Sequence, residues 1–152
     1  MTRVFVASTV IALALLGCTP RHPVSDRIFT EAAKSKSFDL ARLTDFTWDQ
    51  AAVFSPYTPP DRICAALPAS WRECTSTYPN GVDEGSFLLV FVRGGSVVHQ
   101  ELHPRPHGEF CRADCLLQFK ATEAGFDVDV ADASKAADGR KIFSRRLTRA
   151  AP

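Results

Sequence analysis

Four side chains within one short stretch have the chemistry for metal binding or proton transfer: His99, Glu101, His103 and His107. The three histidines recur every fourth residue, a spacing that on a helix would turn their imidazoles towards one ion. The surrounding residues deny the helix. Val97 to Leu102 reads as a strand, and four strand residues span about 13 Å, too far for His99 and His103 to share a metal. A bent loop could still join His103 to His107, which leaves these two as the weak metal candidates. His99 and Glu101 share a strand face and could serve as an acid/base pair, although the wet face of any sheet carries the same pattern. Asp127, Asp129 and Asp132 suggest a calcium loop only until the intervening Phe126, Val128 and Val130 are noticed. That alternation marks a strand, and the glycine and terminal Glu of an EF-hand are missing. Arg140, Lys141, Arg145, Arg146 and Arg149 gather positive charge that could meet lipid phosphates or other envelope anions, or could simply guard an edge strand. No G-x-S-x-G elbow and no S-x-x-K motif occurs, so no catalytic residue is assigned and no cofactor is expected.

Five cysteines are present. Cys18 stands apart at the end of an apolar run, and Cys64, Cys74, Cys111 and Cys115 form an even set. In an oxidising compartment such a set reads as two disulfides. Three connectivities are open; local pairing of Cys64 with Cys74 and of Cys111 with Cys115 is preferred, while crossed pairing would close longer loops. Zinc is the competing use of four cysteines, but C-x9-C and C-x3-C lack the zinc-ribbon pattern.

The oxidising compartment follows from the N-terminus. Arg3 precedes thirteen uncharged residues, Val4 to Leu16, the length of a signal h-region and short for a membrane span. The run ends in Leu15-Leu16-Gly17-Cys18, two apolar residues for the peptidase groove, a small residue at the scissile bond and a thiol to be acylated. Residues 1 to 18 thereby resemble the type II signal peptide and lipobox of bacterial lipoproteins. That resemblance implies cleavage after residue 17 and acyl chains on Cys18, and more than one chain makes anchoring stable. Asp is absent at position 19, which favours the outer membrane in a Gram-negative host. The span from Trp48-Asp49 through Phe54-Ser55-Pro56-Tyr57-Thr58-Pro59 resembles a segment of small uncharacterised bacterial envelope lipoproteins; it covers about a dozen residues and implies no activity. Trp48 and Tyr57 within it could form a ligand-facing aromatic surface, or could pack helix onto sheet.

Removing residues 1 to 17 leaves 135 of the 152 residues, enough for one domain over 25–152 behind a lipidated linker, 18–24. Arg3 is the one charge removed, so the 18 basic and 17 acidic side chains become equal in number, which gives no argument for nucleic acid. Hydrophobic residues make up 45% and Phe is present eleven times, as a packed core requires.

Several elements must position these side chains. Ser25 can cap a short helix bearing Ile28, Phe29 and Ala32, and Phe38 to Leu43 offers one further helical turn. Trp48 to Phe54 reads as a strand with Trp48, Ala52 and Phe54 on one side. Thr58 before Pro59-Pro60-Asp61 predicts a capped helix that buries Ile63, Cys64 and Leu67 and stops at Pro68. Phe87 to Val92 is apolar without a break and predicts a central strand covered on both faces. Arg93-Gly94-Gly95-Ser96 turns it back into Val97 to Leu102. A second hairpin is expected between Cys115–Thr122 and Phe126–Val130, with Leu117, Phe119, Ala121, Phe126, Val128 and Val130 inward; a loop over 131–139 then leads to a last strand over Ile142–Leu147. The sum is an α+β domain, an antiparallel sheet of five or six strands with one or two short helices packed on one face.

The expectation for function is a non-enzymatic lipoprotein of the outer membrane, facing the periplasm, whose disulfide-braced domain binds another envelope protein. An inhibitor or immunity protein is its narrower form. The rival expectation is a periplasmic metal-binding or hydrolytic module built on His99, Glu101, His103 and His107.

Overall fold

An unbroken apolar strand must be covered twice, and the chain meets that demand around Phe87 to Val92, every residue of which is buried. The structure, a computed structural model, describes residues 22–68, 70–111, 114–135 and 141–151, without the side chains of 131–135 and 141–143. The lipobox with Cys18, Arg140, and the side chains of Asp132 and Lys141 thus lie outside the described residues. β3 (Ser86–Arg93) sits in a four-stranded antiparallel sheet of order β4-β3-β2-β5, where β2 is Gln50–Phe54, β4 Ser96–Pro104 and β5 Leu116–Lys120. On one face Val53, Leu89, Phe91 and Phe119 pack against helix α1 (Pro23–Ala32) and a second sheet. This second sheet has the order β1-β6-β7, formed by Ser37–Asp39, Gly125–Lys135 and Lys141–Arg149, and it supplies Phe38, Phe126 and Leu147 to the shared core. On the other face Phe54, Leu88 and Val90 are covered by α2 (Pro60–Ala65) and α3 (Cys74–Thr77) through Ile63 and Cys74, and by Leu67 just after α2.

Both disulfides are the local ones. Cys64–Cys74 joins α2 to α3 with Cα atoms 5.7 Å apart, and Cys111–Cys115 closes the approach to β5 at 6.4 Å. The first braces a cover too small to hold itself. Gly94 and Gly95 have φ of 55° and 76°, the two positive values that a two-residue hairpin needs, and β4 returns along β3 as its sequence suggests.

The antiparallel α+β architecture is present, but its strands divide between two sheets. β5 and β6 form no hairpin. β5 pairs with β2, and after a 3-10 turn at Ala121–Glu123 the chain crosses into the other sheet, where β6 pairs with β1 and β7. A hairpin would have set Phe119 and Phe126 side by side; the crossover sets them edge to face, 5.4 Å between centroids, inside one core. Along β6 Phe126 is buried and Val128 packs against the core, whereas Val130 is 66% exposed beyond its cover.

Three local expectations shift. α1 begins at Pro23, inside the stretch read as linker, because proline presets the first helical φ; Ser25 is an internal, fully buried residue and caps nothing. Likewise α2 starts at Pro60, with Pro59 as its cap, since the Thr58 hydroxyl donates backwards to the Ser55 carbonyl at 2.7 Å. Of Phe38 to Leu43, Phe38 and Asp39 end β1 and Leu40–Leu43 form a 3-10 turn, whose start is held by the Asp39 carboxylate accepting the Ala41 N–H at 3.0 Å. Because β2 begins only at Gln50, Trp48 lies with Ala51 and Val53, on the face opposite Ala52 and Phe54.

Candidate functional site

The residues chosen for their chemistry do converge, on the first turn of α1. Glu101, 3% exposed, accepts the Ser25 N–H at 2.5 Å through Oε1 and the Val24 N–H at 3.3 Å through Oε2, which also lies 2.8 Å from His99 Nε2. First-turn N–H groups have no partner within their own helix, and a carboxylate suits both their hydrogens and the positive end of the helix dipole. Ser25 Oγ is 2.8 Å from His107 Nδ1, and the His107 ring lies against Phe29 at 4.8 Å. His103 is fully buried, 2.9 Å from the Gly108 carbonyl through Nε2, so Nε2 carries the proton and donates. Burial lowers its pKa from 6.5 to about 3; the Gly108 bond opposes this, and His107 and His22 reinforce it. His103 is a neutral core residue near neutral pH.

The structure therefore brings His103 and His107 to 6.0 Å between ring centroids and pairs His99 with Glu101 directly. What it builds from Glu101, His99 and His107 is a tie between α1, β4 and the 3-10 turn at Arg105–His107 that follows β4. Both Glu101 oxygens are occupied by donors and Ser25 has no exposed surface, so a substrate has no route to the acid or to the hydroxyl. Among the described residues no group of three or more His, Cys, Asp or Glu is arranged to hold a metal ion.

Trp48 and Tyr57 are separated. Trp48 is 7% exposed, packed edge-on against Phe91 at 5.2 Å, and its indole N–H donates to Thr44 Oγ1 at 3.1 Å. Tyr57 is 69% exposed and has a φ of 66°, a left-handed conformation that costs a bulky residue about 1–2 kcal/mol. Its turn is imposed from both sides. The Tyr57 N–H donates to the Val82 carbonyl at 2.9 Å, the Val82 N–H returns to the Thr58 carbonyl at 3.0 Å, and Ser55 and Thr58 are buried beneath. Gly81, at φ 72°, passes so close that a Cβ there would stand 2.2 Å from the Thr58 carbonyl oxygen. Partial desolvation, and then a hydrogen bond to the Glu84 carboxylate, hold the phenol above its usual pKa of 10.0, so it remains a neutral donor. The left-handed conformation of Tyr57 is set by the distant Gly81 strap, which no local pattern signals.

A cavity of about 280 Å³ opens at the far end of the same sheet. Leu67, Pro68 and Val92 form an apolar wall, and Gln50, Gln118 and Lys120 present polar groups on the sheet side. Nothing in the sequence reading pointed here, because the site exists only once β5 lies beside β2.

No protein-family model matches the chain, and neither curated proteins nor solved structures show a significant similarity to it.

Proposed function

We propose that this chain is an outer-membrane lipoprotein, acylated at Cys18, whose periplasmic domain works by binding another envelope protein and not by catalysis. The observation that carries the binding half is Tyr57. A domain that holds a tyrosine in a left-handed turn and leaves it 69% exposed has spent stability on presenting an aromatic ring. Tyrosine is among the side chains that most often anchor protein interfaces, and a rigid anchor loses little freedom on binding. Glu101, with His99, is engaged in holding α1 on β4, the Ser25 hydroxyl bonds to His107 in the 3-10 turn that follows β4, and His103 is buried against the Gly108 carbonyl. The two disulfides suit an exported domain. An inhibitor or immunity protein acting on a periplasmic enzyme is the narrower form of this reading.

A photoreactive residue in place of Tyr57, activated in intact cells, is expected to give a reproducible adduct with one envelope protein. Its absence overturns Tyr57 as the anchor of that binding. Cys18→Ala is expected to move the chain from the membrane fraction to the soluble periplasm, and unchanged partitioning overturns the anchor.

A further inference from the structure

The four-stranded sheet ends at β5, and two hydrogen bonds decide how that edge is presented. Ser55 N–H bonds to the Cys115 carbonyl at 3.2 Å, and Ala121 N–H to the Asp49 carbonyl at 3.0 Å. Bonded pairs alternate along an antiparallel ladder, so Leu117 and Phe119 turn their backbone groups inward to Val53 and Ala51. The N–H and C=O groups of Leu116, Gln118 and Lys120 must therefore point outward. Among the described residues no other backbone group bonds to them. The side chains of these same three residues stand with Phe54, Ala52 and Gln50 on the face that carries α2.

The edge joins the two surface features already described. It starts at Leu116, 37% exposed, next to the turn of Tyr57, because the Cys115 N–H is held by Ser55 Oγ at 3.1 Å. It ends at Lys120, on the rim of the 280 Å³ cavity. Lys120 is exposed; Glu123 lines the same cavity, but its carboxylate faces the Arg149 guanidinium at 3.7 Å, which offsets its charge and leaves the Lys120 ammonium for an incoming acid.

We propose that β5 receives an extended segment of the partner protein as an added strand, with an apolar side chain in the cavity and an acidic group against Lys120. The inference rests on the reading that this domain works by binding protein. Outward N–H and C=O groups repeating at every second residue match another extended backbone, and an adjoining pocket then selects side chains. The apolar wall of Leu67, Pro68 and Val92 sets the preference for an apolar residue, and the ammonium sets the preference for an acid. Charge on an edge strand discourages indiscriminate pairing, and Lys120 does so while leaving an acidic strand acceptable.

The test uses the full chain in intact cells, with a photoreactive residue at position 116, 118 or 57 in turn. Adducts from 116 and 118 are expected on one linear stretch of a single partner, on residues two apart. Gln118→Pro removes an outward N–H without touching the ladder to β2. Both Gln118→Pro and Gln118→Ala lose the bond from Gln118 Nε2 to the Ala66 carbonyl, 3.1 Å, so they are compared with each other. At matched melting temperature Gln118→Pro is expected to cut the adduct yield at 116 about tenfold and Gln118→Ala less than about threefold. Adducts scattered over the partner, adducts to a second copy or to this chain itself, or a folded Gln118→Pro variant with full yield overturn the added strand. A partner captured from position 57 but not from 116 or 118 overturns the strand alone. No partner from any of the three positions overturns the binding reading beneath it.

Discussion

The Glu101 carboxylate caps the helix that contains Ser25 from 76 positions away, accepting its N–H at 2.5 Å in a buried site. One side chain of β4 thereby accepts the otherwise unpaired first-turn donors of α1, receives His99 and fastens the first helix to the sheet. Truncation removes all three at once. Glu101→Ala is expected to lower stability by about 2–3 kcal/mol and the Tm by roughly 6–12 °C, read by circular dichroism. Glu101→Gln, which keeps an acceptor, is expected to lose less. Equal, small effects from both variants would show that the carboxylate is not what holds α1.

His103 gives the domain an acid sensitivity with a definite sign. Its pKa is about 3 when folded, against 6.5 for an unperturbed histidine. The unfolded chain therefore binds one more proton throughout the interval between those values. Stability from this residue is present in full above pH 6.5 and is lost progressively as pH falls towards 3, with a slope approaching about 1.4 kcal/mol per pH unit. Urea unfolding at successive pH values from 7 to 4 measures the slope, and His103→Leu is expected to flatten it.

Tyr57 should separate stability from binding. Glycine adopts a φ of 66° without strain, so Tyr57→Gly is expected to leave stability unchanged or raise it by up to about 1 kcal/mol while abolishing capture of the partner. A clear loss of stability in urea unfolding would instead make the side chain a packing element.

Gly81 and Gly94 both have positive φ, but only Gly81 is hemmed in. Gly94→Ala is expected to cost about 1 kcal/mol, the conformational term alone. Gly81→Ala adds a collision with the Thr58 carbonyl and is expected to cost more than about 2 kcal/mol and to shift the Tyr57 turn, lowering adduct yield from that loop. Thermal melts of the two variants side by side give the comparison.

Removing the Cys64–Cys74 bridge is expected to cost about 2–3 kcal/mol, more than removing Cys111–Cys115, since it closes the longer loop. The cover of α2 and α3 is expected to loosen first. Hydrogen exchange at Ile63 and Leu67 in the Cys64→Ser/Cys74→Ser variant reports on it.

What the amino-acid sequence determined by itself lies within a few residues of its cause. The unbroken run Phe87 to Val92 demanded cover on both faces, Gly94-Gly95 supplied the two positive φ values of a hairpin, and the Pro59-Pro60 pair started a helix within one residue of where it begins. The same closeness made local disulfides the preferred pairing of the three that were open. Tertiary structure decided whatever depends on residues far apart in the chain. It sent β5 and β6 to different sheets, because Phe119 and Phe126 fill one core from opposite sides. It took Ser25 from the start of its helix into the interior and gave the cap to Glu101. Trp48 and Tyr57, neighbours in one aromatic segment, parted because β2 begins after the first and the Gly81 strap turns the second outward. Hydrophobic period, proline and glycine act through bonds and neighbouring turns, so they can be read from the chain. Which carboxylate meets which helix, and which strand is left at the edge, depends on the packing of distant surfaces, which no local pattern encodes.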